Sequence, residues 1–180
     1  MATIETNRNQ SEQLKRLEDA QERERASMFA LWEEGERDGC PIFVFHNASP
    51  LPMYGVAVTL LVGGFLFRRV IGTLPPTSEV REVPDLHRQF AHFLKESATE
   101  TIIDLPKIPI LAPEALQSLH EERTALVDKR RTMIDTWVRE LLLLNTISLY
   151  THFSDGDRYW RRGPTGRFDR ISTPGSEIDE

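Results

Sequence analysis

The stretch YGVAVTLLVGGFLF, residues 54–67, carries no charge over its 14 positions and decides the fold. It is either a membrane-spanning helix or a pair of buried strands. A spanning helix needs about 20 apolar residues, so this run is too short. Its Val, Leu and Phe content favours strands, and apolar residues alternate along its first part. We therefore predict two buried strands joined by a turn at Gly63-Gly64, and no membrane span.

Further strands are predicted on either side of this run. A short apolar run precedes it and ends in a segment rich in turn residues. Near the end of the chain, apolar and polar residues alternate over 146–153, and Asp155-Gly156 is a strong hairpin signal. The return strand carries Trp160, which we expect in the core. Residues 41–83 and 145–171 together predict one small antiparallel β-sandwich.

An amphipathic helix is predicted over residues 11–39, before the first strand. Five apolar residues fall near one face of it, namely Leu14, Leu17, Met28, Leu31 and Trp32. Polar residues occupy the middle of that face, so we expect it to dock or pair along only part of its length. Residues 1–10 and the acidic tail 172–180 are predicted to be disordered.

Residues 84–144 are predicted to be a helical insertion within the sandwich. A helix opens at Pro84-Asp85, and a longer helix follows a proline-rich connection. At about 1.5 Å per residue the second helix would be roughly 45 Å long, more than a small sheet can cover. We expect part of it to pack on the N-terminal helix or on another chain. Its predicted partner-binding stripe is Leu116, Leu119, Leu126, Met133 and Trp137.

Composition limits the class of protein. The chain has 180 residues, a net charge of −6, and 39% hydrophobic residues, as expected for one globular domain with an appendage. The acidic balance gives no general attraction to nucleic acid or to anionic membranes. Cys40 is the single cysteine, which excludes an internal disulfide framework. The polar N-terminus lacks a signal-peptide pattern, so we expect a cytoplasmic protein.

No residue pattern predicts catalysis, a cofactor or a metal site. The histidines lack the spacing that chelates zinc on a helix. Cys40 lies between Gly39 and Pro41, with no neighbour that would lower its pKa. Asp155 and Asp157 are typical turn residues, and Asn47-Ala48-Ser49 is a turn rather than a glycosylation site in the absence of a secretion signal. We predict a protein that is not an enzyme.

An arginine-rich segment, residues 158–170, is the one local excess of positive charge. Its arginines alternate with aromatic residues, a combination that binds polyanions through phosphate contacts and stacking. The alternative is a hairpin with Trp160 in the core and its charged neighbours in water. We favour that alternative because the rest of the chain is acidic. The candidate polyanion-binding residues are Arg158, Arg161, Arg162 and Arg167.

Several short motifs resemble those of a group of uncharacterised actinobacterial proteins. The motifs are Asn47-Ala48-Ser49, Pro52-x-Tyr54, Phe153-x-Asp155 and Trp160-x-Arg162. In that group a helix, sometimes a membrane anchor, precedes a small β-sandwich. Met53 and Gly55 stand where the group usually has valine and aspartate. The resemblance implies the sandwich fold and, through the anchored relatives, peripheral membrane attachment as a minor alternative. It implies no activity.

These patterns predict an α+β protein in which an amphipathic helix precedes a β-sandwich interrupted by a helical insertion. We expect a non-enzymatic interaction or scaffold protein, with helices that mediate oligomerisation, as in a coiled coil, or partner docking. One alternative is a nucleic-acid or polyanion-binding module that uses the 158–170 hairpin. The other is an enzyme whose site the residue spacing does not reveal.

Overall fold

Along the described chain, one helix is followed by five strands, two helices and three further strands. The computed structural model describes residues 2–102, 120–156 and 158–172, and the segment 103–119 lies outside the described residues. The elements are α1 (Ala2–Ser27), β1 (Phe29–Arg37), β2 (Cys40–Asn47), β3 (Met53–Val62), β4 (Phe65–Leu74), β5 (Arg81–Glu82), α2 (Leu86–Thr101), α3 (His120–Leu144), β6 (Ser148–Ser154), β7 (Tyr159–Arg162) and β8 (Phe168–Ile171).

The strands form two antiparallel sheets. One sheet has the order β1-β2-β5, and the other has the order β4-β3-β6-β7-β8. Val58 of β3 pairs with Thr151 of β6, so strands from both sides of the helical insertion share a sheet. The predicted α+β fold, with its antiparallel sandwich, preceding helix and inserted helices, is confirmed.

Aromatic rings join the two sheets and close the sandwich. Phe29 of β1 meets Phe153 of β6 edge to face, with 4.7 Å between ring centroids. Phe90 of α2 contacts Phe43 of β2 and Phe67 of β4 at 5.8 and 5.5 Å. The helix α2 therefore packs against both sheets.

Trp160 lies in this core, as predicted, and is only 3% exposed. Its indole Nε1 donates a hydrogen bond of 3.3 Å to the carboxylate of Asp155. The same carboxylate accepts a 3.1 Å bond from the backbone N–H of Arg158, which fastens the β6–β7 turn. Asp155 is thus the turn residue that the sequence predicts.

The predicted helix over 11–39 is wrong in its second half. The helix α1 already begins at Ala2, where disorder is predicted, and it ends at Ser27; residues 29–37 form strand β1. Phe29 and Leu31 are buried with a period of two, and Leu31 pairs with Phe45 of β2. Residues 28–32 are all apolar and so fit both periods, and pairing with β2 decides between them.

A hairpin signal at the end of β1 marks the strand. Asp38 and Gly39 have φ angles of 53° and 74°, the left-handed conformation that two-residue hairpin turns require. Asp-Gly is a preferred sequence for such a turn. Gly39 is therefore part of a hairpin turn between β1 and β2 and not the helix terminator that the helical pattern predicts.

The turn at Gly63-Gly64 confirms the interpretation of residues 54–67 as two strands. Gly63 has φ of +54°, and a Cβ added there would lie 2.5 Å from Leu141 Cδ1 of α3. Glycine is therefore favoured by the backbone conformation, and a larger residue would also displace the Leu141 side chain of α3. None of the helices in the described part of the chain combines the length and apolar character needed to cross a bilayer.

Candidate functional site

The arginine-rich hairpin lies against the C-terminal half of α1. The guanidinium of Arg158 donates to Asp19 Oδ1 at 2.7 Å and also forms an ion pair with Glu22. Arg170 approaches the same Asp19 oxygen at 4.0 Å. A cleft of about 440 Å³ between helix and hairpin is lined by charges of both signs. We call the contact of Arg158 with Asp19 and Glu22 the latch.

The latch lowers one pKa by a direct contact. The hydrogen bond from Arg158 holds the pKa of the Asp19 carboxyl below its ordinary value of 3.8, since it favours the ionised form. Asp19 is therefore a carboxylate throughout the neutral range. The side chains of Arg158 and Glu22 are each only 20% exposed, so this pairing is partly shielded from water.

The four candidate polyanion-binding arginines do not share one surface. Arg162 donates to the carbonyl oxygen of Ser27 at 3.2 Å and lies over the ring of Phe168, on the side of α1. Arg161 points to the other face of the sheet, because side chains alternate along a strand. It lies 3.9 Å from Asp169, which also binds Arg167.

These contacts give each of the four candidate arginines a partner within the chain. Arg158 and Arg162 hold α1, and Asp169 partly neutralises two others. Of the four, Arg167 is the most exposed, with 80% of its side chain in water. Polyanion binding by this segment stays a prediction, and the geometry gives Arg158 and Arg162 a structural role.

The N-terminal part of α1 projects beyond the body of the protein. Residues 10–18 are all exposed, and the contacts with the hairpin begin only at Asp19. Leu14 and Leu17 are each 61% exposed. At 26 residues the helix is about 39 Å long, and residues 10–18 make up about 13 Å of that length. We call residues 10–18 the arm.

The predicted stripe on α3 divides into two parts. Trp137 packs edge to face on Phe65 of β4, with 5.4 Å between the ring centroids, so it covers the protein's own sheet. Leu126 and Met133 are half-buried. Leu116 and Leu119 lie outside the described residues. Partner binding by this stripe stays a prediction, with Trp137 already engaged in the core.

His87, His152 and Cys40 are buried within the fold. The buried His87 has Nδ1 3.1 Å from the carbonyl oxygen of Pro41. Burial, with Arg68 and Arg161 nearby, lowers the pKa of His152. Cys40 is 3% exposed, and burial raises the pKa of its thiol, which disfavours the nucleophilic thiolate. Within the described ranges, no group of three His, Cys, Asp or Glu side chains is placed to hold a metal ion.

Asn47 is fully buried and organises the loop between β2 and β3. Its Nδ2 donates to the carbonyl oxygen of Leu51 at 3.0 Å, and its Oδ1 accepts from the Ser49 N–H at 3.2 Å. A fully buried amide nitrogen in this position is not accessible for glycan attachment. The Asn47-Ala48-Ser49 motif thus acts as the turn that the sequence predicts.

Neither the family models, nor the curated proteins, nor the solved structures that were compared with the chain match it. The resemblance to the actinobacterial group therefore stays a prediction, and any statement about function depends on the geometry alone.

Proposed function

We propose that this protein is a non-enzymatic interaction protein that self-associates through the arm of α1. The observation that carries the proposal is the exposure of Leu14 and Leu17, 61% each, on a helix held to the body at its other end. Two leucines three positions apart are neighbours on one helix face. The occupant of that face is the same arm of a second copy.

The leucine pair points away from the body. A helix turns about 100° per residue, so Leu17 lies about 180° from Ala26, nine positions later. Ala26 is fully buried against the body. Docking of α1 therefore leaves the leucine face free for a second helix instead of covering it.

The charges beside the leucines permit self-pairing. In a parallel pair with Leu14 and Leu17 in the seam, Glu18 of one helix lies beside Gln13 of the other. No like charges are opposed at these flanking positions. A polar residue, Gln21, takes the next seam position, so the contact is short.

The latch restricts the orientation of the arm before a second copy binds. Arg158 and Arg162 hold the end of α1 against the sandwich, which limits the directions in which the arm can point. A helix ordered in advance loses less entropy on association. Fully burying a leucine contributes about 1.5–3 kcal/mol, so four leucines support a weak dimer that forms at high micromolar concentration.

The test replaces both leucines. In sedimentation equilibrium at high micromolar concentration we expect the unmodified chain to form dimers, and Leu14→Glu with Leu17→Glu to be monomeric because carboxylates would be buried in the seam. Both side chains are exposed, so the circular dichroism and the thermal midpoint should stay unchanged.

Arg16→Glu is the matched control. It changes the net charge by the same two units, on an exposed residue outside the leucine face. This variant should still dimerise. A strictly monomeric unmodified chain, or equal loss of dimer in Arg16→Glu, would contradict the proposal.

A further inference from the structure

We propose that the groove between β4 and α2 binds an extended, acidic segment of a partner protein, which adds as a strand to the edge of the five-stranded sheet. This inference goes beyond self-association and does not rest on it. The groove is formed by other elements than the arm of α1.

The edge of β4 is open to pairing. It is the terminal strand of its sheet, and within the described residues its only strand neighbour is β3. Alternate backbone N–H and C=O groups of β4, Phe65–Leu74, therefore point away from β3, and those between Phe67 and Thr73 lie along the groove, whereas the Leu74 carbonyl oxygen accepts from Asn47 Nδ2. An unpaired edge of this length is a template for another chain.

The groove is long enough for a strand. Two adjoining clefts, of about 610 and 260 Å³, run along β4 and share Arg69, Asp85 and Gln89 in their walls. Together they extend from Phe67 to Leu74, which corresponds to about 26 Å of extended chain.

The walls of the groove offer both apolar and polar contacts. The rings of Phe67 and Phe93, 5.3 Å apart, line the larger cleft and suit an apolar side chain of the incoming strand. Gln89 Oε1 lies buried beside them without a hydrogen-bond partner among the described residues. Because this oxygen has almost no accessible surface, the Gln89 side chain must rotate before an N–H of an added segment can satisfy it.

The charge of the groove specifies an acidic partner. Of its own carboxylates, Asp85 is paired with Arg88, and Glu96 lies 3.2 Å from His92 Nδ1. Arg68 and Arg69 take part in none of the ion pairs between described residues. With His92 neutral, three arginines against two carboxylates give the groove a net charge of +1, and Arg68 and Arg69 present their charges on opposite faces of the strand.

The same charges disfavour a second copy as the occupant. If β4 of two chains paired with each other near their middles, Arg68 and Arg69 of one copy would face those of the other. Like charges directly opposed across strands are destabilising. A segment with acidic residues at alternate positions avoids this repulsion. When its apolar side chains lie on the Phe67 face, its carboxylates lie on the opposite face, beside Arg68.

The test uses a fluorescent octapeptide of alternating valine and glutamate, titrated against the full chain by fluorescence anisotropy. We expect saturable binding that weakens with added salt, and a lysine–valine octapeptide should not bind. In NMR spectra, the amide signals that shift on binding should cluster in β4. A glutamate–valine peptide N-methylated at alternate residues should lose at least about tenfold in affinity, because it cannot complete the ladder.

Arg68→Glu with Arg69→Glu should weaken binding by about tenfold or more, whereas Arg131→Glu with Arg139→Glu, an equal charge change at exposed positions on α3, should not. Equal binding of the lysine peptide or of the N-methylated peptide would overturn the proposal, as would no binding of the glutamate peptide at millimolar concentration. None of these outcomes depends on dimerisation, which sedimentation measures separately.

Discussion

Phe90→Ala is expected to lower the free energy of unfolding by about 3–5 kcal/mol, the range for removing a fully buried aromatic side chain. Phe90 has no exposed surface. Its ring lies 5.8 Å from Phe43 of one sheet and 5.5 Å from Phe67 of the other, so it is the point where α2 joins both sheets. The cavity left by alanine would separate all three elements.

Urea denaturation followed by circular dichroism and tryptophan fluorescence measures this loss. Phe93→Ala is the control, since Phe93 is a half-buried phenylalanine one turn further along α2 that contacts Phe67. We expect Phe93→Ala to cost about half as much, because less surface is removed from the core. Equal costs for the two variants would show that Phe90 is not the junction of the sheets and α2.

Arg158→Glu is expected to detach the end of α1 from the hairpin. The substituted carboxylate would face Asp19 and Glu22, so attraction becomes repulsion at a site where the Arg158 and Glu22 side chains are each only 20% exposed. Hydrogen–deuterium exchange of the backbone amides of residues 19–27 should accelerate by at least about tenfold, since this part of the helix would open more often.

Reversing the charges on both sides of the latch tests whether its ion pairs hold α1 in place. Adding Asp19→Lys and Glu22→Lys to Arg158→Glu should restore slow exchange, because the ion pairs re-form with reversed sign. Arg167→Glu, at an arginine of the same hairpin that is 80% exposed, should leave exchange unchanged. Slow exchange in Arg158→Glu would mean that the latch does not hold α1.

Acid should open the same contact in the unmodified chain. The pKa of Asp19 is lowered in the folded protein, so its contribution to docking is complete above the ordinary carboxyl pKa and is lost as the pH falls through the lower, folded value. Protection of residues 19–27 should therefore decrease below pH 3.8, after correction for intrinsic exchange rates. Asp19→Asn should show less of this pH dependence.

The sequence indicated the parts of the candidate sites but not their arrangement. The cluster of Arg158, Arg161 and Arg162 stands out in the sequence, yet its carboxylate partners do not. Arg158 and Asp19 are 139 positions apart, and only folding brings them to 2.7 Å. The groove beside β4 was missed for the same reason, since nothing local indicates that α2 lies along that edge. Its one local signal is the pair of adjacent arginines, Arg68-Arg69.

Local signals were sufficient for most of the strands. Alternation over residues 54–62, the Gly63-Gly64 turn and the Asp155-Gly156 hairpin each depend on neighbours in the chain, so the sequence by itself determined an antiparallel α+β fold with Trp160 in its core. Residues 28–32 are different because their apolar spacing suits a helix and a strand equally. There the hydrogen-bonded ladder with β2 determined that these residues form a strand, in which Leu31 pairs with Phe45.

Tertiary structure alone decided which apolar and charged groups remain available to partners. Helical periodicity places Leu14 and Leu17 on one face of α1. Whether that face is buried depends on where the hairpin arginines contact the helix. The physical reason is that secondary structure follows from interactions over a few residues, whereas burial and ion pairing depend on contacts between distant segments. Those contacts left the arm of α1 and the edge of β4 uncovered in the described structure.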